Sequence, residues 1–267
     1  MVTGSAACAG LYEDNPLWDG SGGGSGDGDG DGDEASSGDG DGDPSGDGDG
    51  DSIPLPEGMA GNDALWIDAV EVSVAEYELF LDAAPASPPG PPECADKSDY
   101  TPDMWDAQST NKPKPVVGVD WCDAYAYCAW AGKRLCAGKP DNPFDDVSLD
   151  NEWFRACATT SFNSYPYGSD YDPGACNGED KQFDALLDVG ALASCEGGFD
   201  GLFDMSGNVW EWTGACAQEQ GEMLCLRRGG SYFSSASLLD CAASGKEPVL
   251  AREEWIGIRC CADPGSL

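Results

Sequence analysis

Gly201-Leu202-Phe203-Asp204-Met205-Ser206-Gly207-Asn208-Val209-Trp210-Glu211-Trp212 is the stretch that sets the fold. Its second half, Val209–Trp212, has the β-branched and aromatic residues of a short strand, entered from a Gly- and Asn-containing turn. Downstream, Cys225–Arg228 and Trp255–Cys260 are the other strand candidates. They carry the segments Arg228-Gly-Gly-Ser-Tyr232 and Gly257-Ile-Arg-Cys260. Upstream, apolar residues recur at helical spacing. Ser73 and Glu76 form an S-x-x-E capping box ahead of Val74, Tyr77 and Leu81, predicting a helix over about 74–84 that the Pro-rich run 85–92 ends. Asp120 is a candidate N-cap, with Asp123 in the first turn where the helix dipole favours an anion. Ala124, Tyr125, Cys128 and Ala131 then share one face, and Gly132 takes the C′ position. A third, shorter helix is expected over about 150–157.

Composition divides the chain. Residues 1–20 form a leader. Residues 21–52 contain no apolar residue larger than alanine, so no burial offsets the entropy of ordering them. Their Asp-Gly runs lack the Glu at position twelve and the flanking helices of an EF-hand, and read as a solvated, self-repelling linker. Residues 53–267 are long enough for one domain with a sizeable core. The net charge is −37, with −14 in residues 1–52 and −23 in the rest. That excludes nucleic acid and a bare anionic membrane as natural partners and favours cations. There is no histidine, so Ser-His-Asp and Cys-His nucleophiles and His-ligated zinc or iron are excluded. Of thirteen cysteines, twelve fall in the domain without a Cys-x-x-Cys pair, which predicts up to six disulfides and an oxidising compartment. No apolar run reaches the roughly 18 residues of a membrane span. Small residues leading into Cys8, then an acidic tether, resemble the end of a bacterial lipoprotein signal. The expectation is a lipidated Cys8, with the true start upstream.

Several landmarks in one order resemble the formylglycine-generating enzyme (sulfatase-modifying factor) family. They are Val70–Tyr77, Pro115–Leu135, Glu152-Trp153, Tyr165-Pro-Tyr-Gly168, Gly201–Trp212, Arg228–Tyr232 and Gly257–Cys260. The resemblance implies an α+β, modified C-type-lectin-like fold with much irregular structure, rich in disulfides. It implies the bridges Cys128–Cys260 and Cys157–Cys241. Cys216 and Cys225 flank a short polar loop and are expected to pair with each other. Cys260 and Cys261, adjacent on a strand, face opposite ways and need different partners. The resemblance also implies a calcium site from the side chains of Asp204 and Glu211 and the carbonyls of Gly207 and Val209, a hard oxygen set suited to Ca²⁺. A second calcium position would fall near Asn177, where the neighbouring segment has diverged.

The family's enzymes oxidise a cysteine with two active-site thiols. Here the first position is Ser234, and no cysteine lies between Ser231 and Asp240. Ser231 of the enzymes' oxygen pocket is present. A serine hydroxyl does not replace the soft thiolate pair that copper(I) needs, so copper is not expected. The expectation is a secreted or cell-envelope domain (periplasm or outer surface), monomeric and tethered to a membrane only through a lipid. It would bind a peptide, protein or glycan without catalysis, in a cleft lined by Trp210, Trp212, Tyr232 and Trp255. The alternative is an active cysteine-to-formylglycine oxidase or another oxidoreductase of the family.

Overall fold

The computed structural model describes residues 55–83, 90–145 and 147–267. The leader, the linker, Cys8 and much of the Pro-rich run lie outside them. In chain order the elements are β1 (Met59–Asn62), β2 (Leu65–Asp68), α1 (Val74–Ala83), α2 (Trp105–Gln108), α3 (Trp121–Trp130), β3 (Arg134–Leu135), α4 (Glu152–Ala158), β4 (Trp210–Glu219), β5 (Glu222–Arg228), β6 (Ser244–Pro248), β7 (Ile256–Ile258) and β8 (Cys260–Ala262). No helix among the described residues is long and apolar enough to cross a membrane.

The helices start where their caps dictate. Ser73 N–H donates to Glu76 Oε2 (2.8 Å) and Glu76 N–H to Ser73 Oγ (3.3 Å), closing the box that opens α1. Asp120 and Asp123 exchange the same pair of bonds at the start of α3, and Gly132 follows it with φ +74°. Two expectations shift. The cap of α4 is Asn151, whose side chain accepts from Phe154 N–H, so the helix runs one to two residues later than expected. On α3 the burial is not one stripe: Trp121 to Ala124, Ala126, Tyr127 and Cys128 are all buried, while Tyr125 is half exposed. The helix is packed on several sides, and Tyr127, stacked on Tyr77, takes the core position.

Two four-stranded sheets follow, in the orders β1-β2-β8-β3 and β6-β5-β4-β7. Only β4–β7 is parallel. The resemblance puts the family's opening strand and helix on Val70–Tyr77, but the first strands lie earlier, at Met59–Asn62 and Leu65–Asp68, and Val70–Ser73 is a connector whose Val72 bonds Ile258 and Val116. The strand beginning at Trp210 runs on to Glu219 and turns at Gln220-Gly221 (φ +53° and +92°) into β5. Trp212 Nε1 donates to Val119 O (3.0 Å) and Trp121 Nε1 to Thr213 O (2.7 Å), joining the second sheet to α3. Each such fully buried indole is worth about 3–5 kcal/mol against truncation to alanine.

Six disulfides close the domain: Cys94–Cys122, Cys128–Cys260, Cys136–Cys261, Cys157–Cys241, Cys176–Cys195 and Cys216–Cys225. The adjacent Cys260 and Cys261 pair to opposite sides, as strand alternation requires. Cys128–Cys260 spans 132 residues and fastens β8, the last strand, inside the first sheet.

Candidate functional site

The turn before β4 is stitched by backbone to the Gly229–Tyr232 segment. Gly207 N–H donates to Gly229 O (2.7 Å), and Tyr232 N–H to Asn208 O (3.0 Å). Gly207 has φ +82°, and a Cβ there would lie 2.2 Å from Asn177 O, so only glycine allows this approach. Asn208 is the hub. Its Oδ1 accepts from Asn177 Nδ2 (3.0 Å) and Leu187 N–H (2.9 Å), and its Nδ2 donates to Glu71 Oε1 (2.9 Å).

Around this hub three carboxylates, Glu71, Asp204 and Glu211, are buried with one guanidinium, Arg259. Glu211 is taken by that cation: Arg259 Nε lies 2.9 and 3.0 Å from its two oxygens, and Trp153 Nε1 donates to Oε2 at 2.6 Å. Arg259 also donates to Asp68 O (2.6 Å) and Phe203 O (2.8 Å), so each of its three nitrogens has a partner. Asp204 accepts from Gly190 N–H (2.6 Å). Glu71 Oε2 and Asn177 Oδ1 are buried with no donor. Burial, then the Asp204 carboxylate beside it, pushes Glu71 well above the usual carboxylate range. Burial raises Asp204 and Glu211 as well. Three carboxyl groups thus face one guanidinium, and the raised Glu71 favours the proton that relieves the imbalance. Of the four expected calcium ligands, Asp204, Gly207 and Val209 sit at this turn, while the Glu211 carboxylate is committed to Arg259. Glu71 was missed. Its signal was a carboxylate between Val70 and Val72, inside a stretch that is otherwise core.

Ser231 and Ser234 meet in a tight turn at the other end of the stitched segment. Ser231 N–H donates to Ser234 Oγ (2.9 Å), Ser234 N–H donates to Ser231 O (2.9 Å), and the two hydroxyls are 3.2 Å apart. Both residues are buried. Leu239 is buried beside them. Its side chain lies so near Gly230 that a Cβ there would meet Leu239 Cδ2 at 2.8 Å and Leu238 O at 2.7 Å. Among the described residues every cysteine is in a disulfide.

Trp210 and Trp212 do not line a cleft. Both are in the core, because β4 is an inner strand of the second sheet with α3 packed on it. Tyr232 and Trp255 are partly exposed, and each meets the half-exposed Phe233 edge to face, at 4.9 and 5.4 Å between ring centres. Beside Tyr232 a groove of about 250 Å³ opens between α2, the start of α1, Lys114–Val117 and Leu186. Nothing in the sequence marked it, because its walls come from six separate segments.

The pattern of the sulfatase-modifying factor enzyme 1-like domain matches residues 38–264. The inactive C-alpha-formylglycine-generating enzyme 2 of Mus musculus is 31% identical over 170 residues, covering 57% of this chain and 50% of that protein. The formylglycine-generating enzyme of Mus musculus is 29% identical over 180 residues, covering 56% and 44%. The chain thus spans about half the length of the curated relatives it matches. The solved structure of PvdO from Pseudomonas aeruginosa superposes with a TM-score of 0.50 at 20% identity, covering 79% of this chain and 89% of that one, which supports the fold alone.

Proposed function

We propose, from the premise that this chain belongs to the sulfatase-modifying factor enzyme 1-like family, that it is a non-catalytic, ligand-binding member working outside the cytoplasm. The place of a redox thiol pair carries this reading. It holds Ser234, turned onto Ser231, with no free thiol among the described residues. Copper(I) needs soft thiolates, and this donor set does not fit it. The similarity to a mouse protein named as an inactive enzyme points the same way. Beside the plugged site the groove stays open, so a surface for binding persists where the chemistry has gone.

Calcium belongs to the same proposal. The donors are hard oxygens, three buried carboxyl groups face one guanidinium, and Glu71 Oε2 has no donor. Asp204 and the carbonyls of Gly207 and Val209 would hold the ion, with Glu71 beside Asp204 and Glu211 left to Arg259. Its contribution would be to neutralise the cluster and so brace the turn that starts β4. Six disulfides suit a secreted or envelope location, with lipidation of Cys8 as its anchor.

Two readouts on the purified chain test the reading. Given copper(I), oxygen and a cysteine-containing peptide, the peptide mass should not change, and conversion of the thiol to an aldehyde would overturn it. A panel of defined peptides and oligosaccharides, read by thermal shift, should contain a ligand that an Ala107→Trp variant loses. Ala107 is exposed and lines the groove, so the indole fills it without disturbing the core. No such ligand means no binding function at this groove.

A further inference from the structure

We infer that the groove docks a basic polypeptide segment, with one aliphatic side chain inside it and flanking lysines or arginines on the carboxylates of its rim. This rests on the binding reading above and names the class of ligand.

Size selects a side chain over a free small molecule. The groove measures about 250 Å³. Small-molecule sites run to about 300–1,000 Å³ and enclose most of their ligand. One or two side chains of a longer partner fit instead. The wall is apolar: Val74, Met104, Pro115, Val117, Leu186 and Tyr232. It is also preformed. Gln108 bridges α2 to the opposite wall, donating to Asp103 O (3.0 Å) and Val117 O (2.9 Å) and accepting from Val117 N–H (3.1 Å). Lys114 Nζ holds Leu186 in place through its carbonyl (2.6 Å). Met104, more than half exposed, supplies an adaptable thioether at the mouth.

Charge selects the flanks. Glu254 lines the groove and is exposed. Asp106 precedes the lining residue Ala107, and Asp188 stands two residues after the lining residue Leu186; both are exposed. None of the three enters an ion pair among the described residues. Of the nearby cations, Lys112 is paired with Glu78, while Lys114 lines the groove with its ammonium held on the Leu186 carbonyl and is outnumbered by the three carboxylates. The exposed ring of Phe233, next to Tyr232, offers a further cation-accepting face. An acidic partner would meet like charge at the rim and a chain of net charge −37 beyond it.

The test uses the full chain and fluorescent octapeptides with one central leucine, flanked by lysines in one and by glutamates in the other, read by anisotropy. The lysine peptide is expected to bind about tenfold or more tighter than the glutamate peptide, and more weakly as salt rises from about 50 to about 500 mM. Asp106→Asn/Asp188→Asn/Glu254→Gln, three exposed changes, should remove most of that preference. Ala107→Trp should abolish binding of the lysine peptide while the melting temperature stays put. Equal binding of both peptides overturns the inference. So does lysine-peptide binding that survives Ala107→Trp, which would be general attraction to an acidic chain. If neither peptide binds, the inference falls, and a neutral ligand that Ala107→Trp loses would keep the binding reading standing without it.

Discussion

Glu71→Gln changes one atom at the centre of the buried carboxylate cluster and keeps its shape. In the native chain Oε1 accepts from Asn208 Nδ2 at 2.9 Å, while Oε2 has no donor and stands near Asp204. Glutamine keeps the acceptor and puts an amide N–H where Oε2 was. A hydrogen bond to a charged group contributes about 1.5–3 kcal/mol, and the variant needs neither a buried charge nor a proton taken up on folding at this position. In the absence of divalent cations at pH 7 the variant should therefore be more stable than the native chain, by about 1–3 kcal/mol. Acidification should narrow the gap. The folded pKa of Glu71 lies above its ordinary value, so the native state takes up a proton the unfolded state lacks, and the native chain gains stability as pH falls. Calcium should reverse the order. At about 100 times its Kd it stabilises the native chain by about 2.7 kcal/mol, and the variant, one anionic donor short, gains less. The assay is urea unfolding followed by tryptophan fluorescence, disulfides intact, in EGTA and in calcium, comparing midpoints at constant m. A variant less stable than the native chain in EGTA refutes the charge argument. Equal calcium gains in both chains refute the place assigned to the ion.

Arg259→Met should act in the opposite direction, destabilising by about 3–5 kcal/mol because Glu211 is left buried without its cation; a loss under about 1 kcal/mol in the same urea assay would show the pair is not the cluster's counterweight. Denaturation without reductant, alkylation and mass measurement should find no free thiol in residues 55–267, and mapped thiols there would reopen the redox reading. Ser234→Cys should add one thiol yet bind no copper(I), since no second free thiol lies among the described residues; metal analysis showing one bound copper would contradict this. Burial and the Asp120 carboxylate beside it push Asp123 up to about 6, from an ordinary value of 3.8. Its contribution to stability should thus grow as pH falls from about 7 towards 4, a slope that Asp123→Asn should remove from melting temperature against pH.

The helix starts were legible because capping is local. Ser73 with Glu76 and Asp120 with Asp123 each make their bonds within one turn. The serine at 234 was equally legible, since one residue's identity settles whether a thiolate is there. The route of Val70–Ser73 was not. An alternating Val-Glu-Val-Ser reads as strand, yet these residues run between Ile258 and Val116, near Asn208, where Glu71 has a chemical role. Trp210 and Trp212 misled for a related reason. Their ring chemistry suits a cleft or a core equally, and the choice depends on α3 covering β4.

By itself the sequence determined the family, the α+β class, the caps, the acidic charge, the absence of histidine and the loss of the thiol at position 234. Each of these is a property of residues close together in the chain or of composition. Tertiary structure alone decided that β8 lies between β2 and β3, that Arg259 takes Glu211, that Glu71 faces Asp204 and that a groove opens beside Tyr232. Those outcomes join segments far apart in the chain, as in the bond from Arg259 to Asp68, 191 residues away. Which distant surfaces meet is set by the packing of the whole core, and no local pattern in the chain records it.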